Sequence, residues 1–181
     1  FGTDALRWWL LRAVPRVGDG DFTTAGLVDV VNRDLANGVG NLARRIASLV
    51  HADRAPRVHE LGDSGRAGEA ATLRAAVGAL PQRVDDALER FDFRSALEAA
   101  LHTVAEANRY LEVTRPWERA GKARFDIGVV LDEVVTATRV VARELAPFVP
   151  DFSARALHAL GECGDPPPPA AVLFPRLVES E

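Results

Sequence analysis

One stripe constrains the fold of this chain more than anything else in it. Leu27, Val31, Leu35, Val39, Leu42, Ile46 and Leu49 follow one another at spacings of three or four through residues 22–50. That period places them on a single face of a helix. A helix of this length with one apolar face must bury it against other elements, so the stretch predicts a multi-helix core. Thr23 reads as the N-cap, with Phe22 and Leu27 at the two hydrophobic-staple positions. The opposite face carries Asn37, Asn41, Arg44, Arg45 and Ser48, hydrogen-bonding groups without a carboxylate. Gly38 and Gly40 interrupt the same helix. Each costs about 1 kcal/mol relative to Ala, which predicts close approach by another element or a ligand.

The remaining segments supply partners. Residues 1–14 place Leu6, Trp9, Leu10 and Ala13 at helical spacing after a Thr3 cap, and 15–21 have turn chemistry. Asp19 and Asp21 read as turn formers, not metal ligands. A polar connection follows residue 50. The next helix spans 69–90, with Leu73, Val77, Leu80, Val84 and Leu88 inward and Pro81 expected to kink or restart it. Asp92 caps a helix over 94–113, which stops at Thr114, Arg115 and Pro116 because proline disfavours helical backbone in the residue before it. Asp126 is the expected cap for 127–145, whose inner stripe is Val130, Val134, Ala137, Val141 and Leu145. Pro147 and Pro150 end that helix, and Ser153 caps a short one that finishes at Gly161. The expected fold is all-α: an antiparallel bundle of four long helices, a short helix at each end, and an extended Pro-rich C-terminal tail.

Composition narrows the function. At 181 residues, 48% apolar and 27% charged, the chain suits one globular body, and no apolar run approaches the ~20 residues of a membrane span. Cys163 is the single cysteine, which excludes an intrachain disulfide and points to a reducing compartment, the cytoplasm. With no Met and a start at Phe1, the chain reads as an excised or truncated piece. The net charge of −4 argues against a strongly basic nucleic-acid binder. Of the 22 basic residues only Lys122 is lysine; arginine suits planar recognition of bases and phosphates, although a GC-rich coding sequence gives the same bias.

Catalytic chemistry is absent. His51, His59, His102 and His158 lack metal-ligand spacing. No phosphate-binding loop, dinucleotide fingerprint or nucleophile elbow occurs. Glu98 and Glu106 read as solvated carboxylates and Cys163 as a bystander. The residues alone make Trp117 a core aromatic and the Asn/Arg stripe a solvated face.

Several stretches in chain order change that reading. FGTDALRWWLLR at 1–12, VNRDLANGVGNLARR at 31–45, FDFRSAL at 91–97, ANRYLEVTRPWERA ending at Ala120, LAPFVPDFSARALHALG ending at Gly161, and the closing LFPR together resemble the C-terminal, anticodon-binding half of methionyl-tRNA synthetases, a class I family. DALRWWLL and Pro-Trp occur singly in related synthetases; NLARR, Pro-Trp and LFPR in this order are specific to the methionine enzyme. The resemblance implies an end of the linker region over 1–21, the anticodon-binding bundle over 22–161, and over 162–181 a tail that packs back on the body.

It also implies recognition of a CAU anticodon by Asn41, Arg45 and Trp117, with Asn37, Arg44, Asn108 and Arg115 in support. Arg109, Arg115, Arg119, Lys122 and Arg124, set against Glu112 and Glu118, form an expected positive patch around Trp117. The run after Pro-Trp is ERAGKAR, where family members commonly have Leu-Ala-Lys. No HIGH-type or KMSKS-type ATP signature and no zinc knuckle lies in the chain, so the ATP and methionine sites would belong to an absent catalytic domain. The expectation is therefore a non-catalytic, cofactor-free module whose partners are tRNA and that catalytic domain, not DNA or a membrane. The alternative is an interaction module that no longer reads RNA and docks through Trp8, Trp9 and LFPR. Isolating either one predicts weak self-association through exposed apolar area.

Overall fold

The computed structural model describes residues 1–15, 17–52, 67–118, 124–161 and 174–178. Among them are only helices and their connections: α1 (Thr3–Ala13), α2 (Thr24–Val31), a π-helical segment (Asn32–Val39), α3 (Gly40–Ala52), α4 (Ala67–Glu89), α5 (Phe93–Thr114), a 3-10 turn (Pro116–Glu118), α6 (Arg124–Leu145) and α7 (Pro150–Ala159). None is long and apolar enough to cross a membrane. The helices α4, α5 and α6 pack on one another as an antiparallel bundle, and α3 and the π segment pack against α6, α7 and α5. The helix α1 closes the assembly against α2, α5 and α7.

The stripe does what its spacing requires. Leu27, Val31, Leu35, Val39, Leu42 and Ile46 are all buried, and they join Leu73, Leu80, Val84, Ala96, Leu97, Val104, Leu111 and the α6 stripe in one core. Thr23 is the N-cap, its Oγ1 accepting from Gly26 N–H at 3.0 Å. Phe22 instead meets Trp9 edge-on, with ring centroids 4.9 Å apart.

The expected regular helix is not regular. From Asn32 to Val39 it widens to i→i+5 bonding, and the Gly40 N–H bonds the Leu35 carbonyl. The close approach at Gly40 comes not from another element or a ligand but from this carbonyl of the same helix: a Cβ on Gly40 would lie 2.7 Å from Leu35 O, while Phe174 Cβ, at 3.6 Å, would be in ordinary contact. The same atom on Gly38 would sit 3.4 Å from Arg33 O, in ordinary contact. On Gly78, in the exposed face of α4, it would touch nothing within 4 Å. Gly78→Ala is therefore expected to stabilise the domain by about 0.5–1 kcal/mol, the helix-propensity difference. Gly40→Ala is expected to destabilise it by about 1–3 kcal/mol despite the same propensity gain. Urea unfolding of the two variants measures both, and equal midpoints would remove the steric account.

Polar side chains tie the elements together at their ends. Asp4, buried in α1, accepts from Phe152 N–H at 2.7 Å and so caps the first turn of α7 from another helix. Arg7 donates to the Pro147 and Phe148 carbonyls at 2.6 and 2.7 Å, satisfying the backbone of the turn between α6 and α7. Asn32 holds the backbone of Leu177 on both sides, accepting from its N–H at 2.7 Å and donating to its carbonyl at 2.9 Å. That clamp, with Phe174 buried against Phe152 at 6.0 Å, fixes the C-terminal segment on the π helix.

Several local expectations are corrected. The helix α1 is preceded by Gly2 at positive φ, with no side-chain cap, so Thr3 is its first residue and not its cap. Its buried face is Asp4, Ala5, Trp8 and Trp9, while Leu6 and Leu10 are exposed. Of the docking surface expected from Trp8, Trp9 and LFPR, both indoles and Phe174 are buried inside the domain, Pro175 and Arg176 are exposed, and Leu173 lies outside the described residues. Pro81 does not restart α4, which runs through it without interruption, with Leu80 and Val84 buried in the core. Asp126 lies inside α6, which begins two residues earlier. Pro150 opens α7 as its first residue and Ser153 is buried within it. The Asp92 cap, accepting from Ser95 N–H at 3.1 Å, and the end of α5 stand as expected. The Pro-rich stretch of the tail and Cys163 lie outside the described residues.

One carboxylate works against the fold. Glu144 in α6 has its pKa raised, first by burial and then by the Asp85 carboxylate. A carboxyl whose folded pKa is raised favours the folded state when protonated and disfavours it once ionised. Glu144→Gln is thus expected to raise stability at pH 7, with the advantage shrinking as pH falls through the folded pKa and vanishing below the unfolded value near 4.3. Urea midpoints of both proteins across pH 3–8 give the test; a constant difference would contradict it.

Candidate nucleic-acid interface

Local chemistry at the end of α5 presents Trp117. The Thr114 hydroxyl folds back to the Tyr110 carbonyl at 2.7 Å, and Arg115 closes the helix in left-handed backbone, φ 43° and ψ 59°. Its N–H bonds the Leu111 carbonyl at 2.8 Å, a single-bond left-handed cap. Pro116 is buried, which sets the next residue outward on the 3-10 turn. Trp117 is 43% exposed, unusual for an indole in a packed domain. The core reading of this residue is therefore wrong for its ring.

The helix α3 brings Arg45 over that ring. Its guanidinium carbon stands 5.2 Å from the Trp117 centroid, within cation–π range and worth about 0.5–1 kcal/mol at an exposed site. Asn41 precedes Arg45 by one turn of regular helix, on the same face. Its Oδ1 accepts from Arg44 Nη2 at 3.1 Å. Among the described residues its Nδ2 and the Arg45 guanidinium have no hydrogen-bond partner. A half-exposed indole thus lies under a guanidinium whose neighbour one helical turn earlier is an amide.

The supporting residues divide. Arg44 is exposed beside Asn41, and Ser48 bonds its carbonyl at 3.0 Å. Arg115 flanks Trp117 but is bonded to Glu118 at 3.2 Å and to the Glu112 carbonyl at 3.3 Å. Asn108 donates to the Val104 carbonyl of its own helix at 3.1 Å. Asn37 lines a different groove, of about 310 Å³, with Asp29, Asn32, Arg33 and Arg176. Two described members of the expected positive patch are paired with carboxylates: Arg109 with Glu106 at 2.9 Å and Arg115 with Glu118 at 3.2 Å. Arg119 and Lys122 lie outside the described residues, and the side chain of Arg124 is likewise not described. Among the described residues no cluster of three or more His, Cys, Asp or Glu could hold a metal ion. Glu98 and Glu106, rather than acting together, each pair with an arginine.

The sequence reading missed the network behind the site. Asp34, on the π segment and buried, accepts from Trp8 Nε1–H at 3.3 Å and pairs with Arg12 at 3.3 Å and Arg33 at 3.0 Å. Arg12 reaches on to Glu98 of α5 at 3.0 Å. The available signal was an aspartate directly beside Leu35 of the buried stripe, away from the polar face.

Comparison with known proteins gives the relatives of the chain as a whole. A sequence model described as tRNA synthetases class I (M) matches residues 1–47. The methionine–tRNA ligase of Mycobacterium bovis is 34% identical over 197 residues, covering 97% of this chain and 37% of the relative. That of Caldanaerobacter subterraneus is 31% identical, covering 89% of the chain and 25% of the relative. The free-state crystal structure of Mycobacterium tuberculosis methionyl-tRNA synthetase superposes with a TM-score of 0.84 at 29% identity, covering 98% of this chain and 39% of that one. The methionyl-adenylate complex of the same enzyme gives 0.85. The chain spans between a quarter and two fifths of the length of these relatives.

Proposed function

We propose, from the premise that this chain is a helical domain of the methionyl-tRNA synthetase family, that it binds the CAU anticodon of methionine tRNA through Trp117, Arg45 and Asn41. The domain serves aminoacylation in protein synthesis in the cytoplasm, with adenylation chemistry supplied by a catalytic domain that is its second partner. The observation that carries this reading is the Arg45 guanidinium at 5.2 Å over a Trp117 ring that is 43% exposed. Single-stranded RNA loops are read by stacking unpaired bases on aromatic rings and guanidinium planes while polar groups meet the base edges.

Cytosine fits the donors on offer. Its pairing edge presents O2 and N3 as acceptors and N4 as a donor. Arg45 and Asn41 Nδ2 supply N–H groups to the acceptors, and the second lone pair of Asn41 Oδ1 takes the N4 proton. Uracil reverses N3 to a donor and O4 to an acceptor, setting like against like. Each good paired contact contributes about 1–3 kcal/mol of discrimination.

Titration into fluorescently labelled stem-loops carrying CAU and UAU at low salt tests the proposal. A CAU preference of 10-fold or more is expected. Equal affinity for both loops, or no binding to either, would overturn it.

A further inference from the structure

We infer that Gly40 and the wide turn it permits are the positioning device for Arg45: they set the angular phase of α3 that holds the guanidinium over Trp117. The apolar stripe requires such a correction. Leu27, Val31, Leu35 and Val39 advance in three steps of four residues, and in a regular α-helix twelve residues overshoot whole turns by about 120°. All four are nevertheless buried in one core. The i→i+5 segment between Asn32 and Val39 absorbs that drift, since one extra residue accommodated in a helix corresponds to about 100° of rotation. Everything C-terminal to it inherits the correction.

The inherited phase fixes both faces of α3 at once. Leu42 and Ile46 are turned into the core, and Arg45, one residue before Ile46, is turned to Trp117. Were the segment to tighten to i→i+4 bonding, α3 would rotate and carry Arg45 off the indole. Gly40 prevents this, because its N–H reaches Leu35 O only where no Cβ intrudes. The wide segment is also pinned from outside, by Asn32 to the Leu177 backbone and by Asp34 to Trp8 and Arg12. Neither Gly40 nor Leu35 touches the proposed RNA; both act through Arg45.

The geometric statement stands apart from the RNA reading, while its consequence for base preference rests on that reading, so the test reads each separately. NMR of the whole chain gives the geometry: stacking under an indole shifts the Arg45 side-chain protons upfield by ring current, a signature that Trp117→Ala must abolish. In Gly40→Ala the shift is expected to fall to less than half, and in Gly78→Ala to remain. A second variant covers failure to fold. Deleting Ala36 in the Gly40→Ala background shortens the Leu35-to-Val39 step to three and makes the stripe compatible with a continuous α-helix. That double variant is expected to fold and to recover the upfield shift. The inference is overturned if Gly40→Ala keeps the full shift, or if the double variant folds without recovering it. Stem-loop titration of the same proteins should show the CAU preference falling with the shift and returning with it. If the shift follows this pattern while no variant, and not the parent chain, prefers CAU, the RNA reading fails and the positioning role of Gly40 stands.

Discussion

Replacing Asp34 by Ala is expected to lower the stability of the domain by about 3–5 kcal/mol, the cost of removing one partner from a buried ion pair. The carboxylate sits at the meeting of three elements. One oxygen takes the Trp8 indole N–H and faces Arg12, and the other meets Arg33. Trp8 is fully buried, so its N–H would lose its acceptor without gaining water. Arg12, with its side chain 22% exposed, would keep the exposed Glu98 but face a void where the buried carboxylate had been. Arg33 is well exposed and should contribute little to the loss. Asp34→Asn retains an acceptor for the indole and is expected to cost about half as much. Urea unfolding of the two variants gives the comparison, and a double-mutant cycle with Arg12→Met isolates the pair. A loss below about 1 kcal/mol in Asp34→Ala would mean that the network is ornamental and that α1 is held by packing alone.

The helices of this fold were legible because burial follows spacing. The stripes of the central helix and of α6 are buried almost to the residue, and Asp92 and the Pro116 stop lie where local chemistry puts them. What escaped was decided by contacts between distant segments. Gly2, Asp4 and Pro150 exchange capping roles that Thr3 and Ser153 were expected to fill, because the cap of α7 comes from α1. Leu6 and Leu10 were expected to face inward with Trp9 by helical spacing, yet only Trp9 does so, joined by Trp8, since two indoles bury more area than two leucines. The π segment did leave a trace, the run of steps of four and the glycine at its end, but reading it requires knowing that all four positions are buried. The candidate site divides in the same way. Arg45 and Asn41 share a face by helical spacing, and Trp117 joins them only through the course of α5 and its left-handed cap. Asn37, one turn before Asn41 in a regular helix, is turned toward Arg176 in a separate groove, because the wide segment breaks the phase between the two asparagines.

That partition sets the outcome of a substitution series on the proposed RNA contacts. Trp117→Ala is expected to weaken binding to CAU and UAU stem-loops alike by about 10- to 100-fold, because stacking is worth roughly 1–3 kcal/mol per base and is indifferent to the base edge. Trp117→Phe keeps a ring for the base and for Arg45 and should recover much of the loss. Asn41→Ala acts on the edge: the CAU affinity should fall by about 10-fold while the UAU affinity stays within a factor of two, so that the preference collapses. Arg45→Ala combines both effects, since the guanidinium both stacks on Trp117 and offers donors to the base. A cycle between Arg45→Ala and Trp117→Ala should then show coupling, the signature of residues in contact. Asn37→Ala and Asn108→Ala, one in another groove and one bonded to its own helix, should leave both affinities unchanged. Salt separates the remaining term. With Arg109 and Arg115 already paired to carboxylates, few phosphate contacts are available among the described residues beside Trp117, and for a base-stacking interface the slope of log affinity against log salt should stay shallow, near −0.7 for each phosphate engaged. A slope of several units, together with a Trp117→Ala variant that binds as tightly as the parent chain, would show that backbone charge and not base stacking holds the RNA.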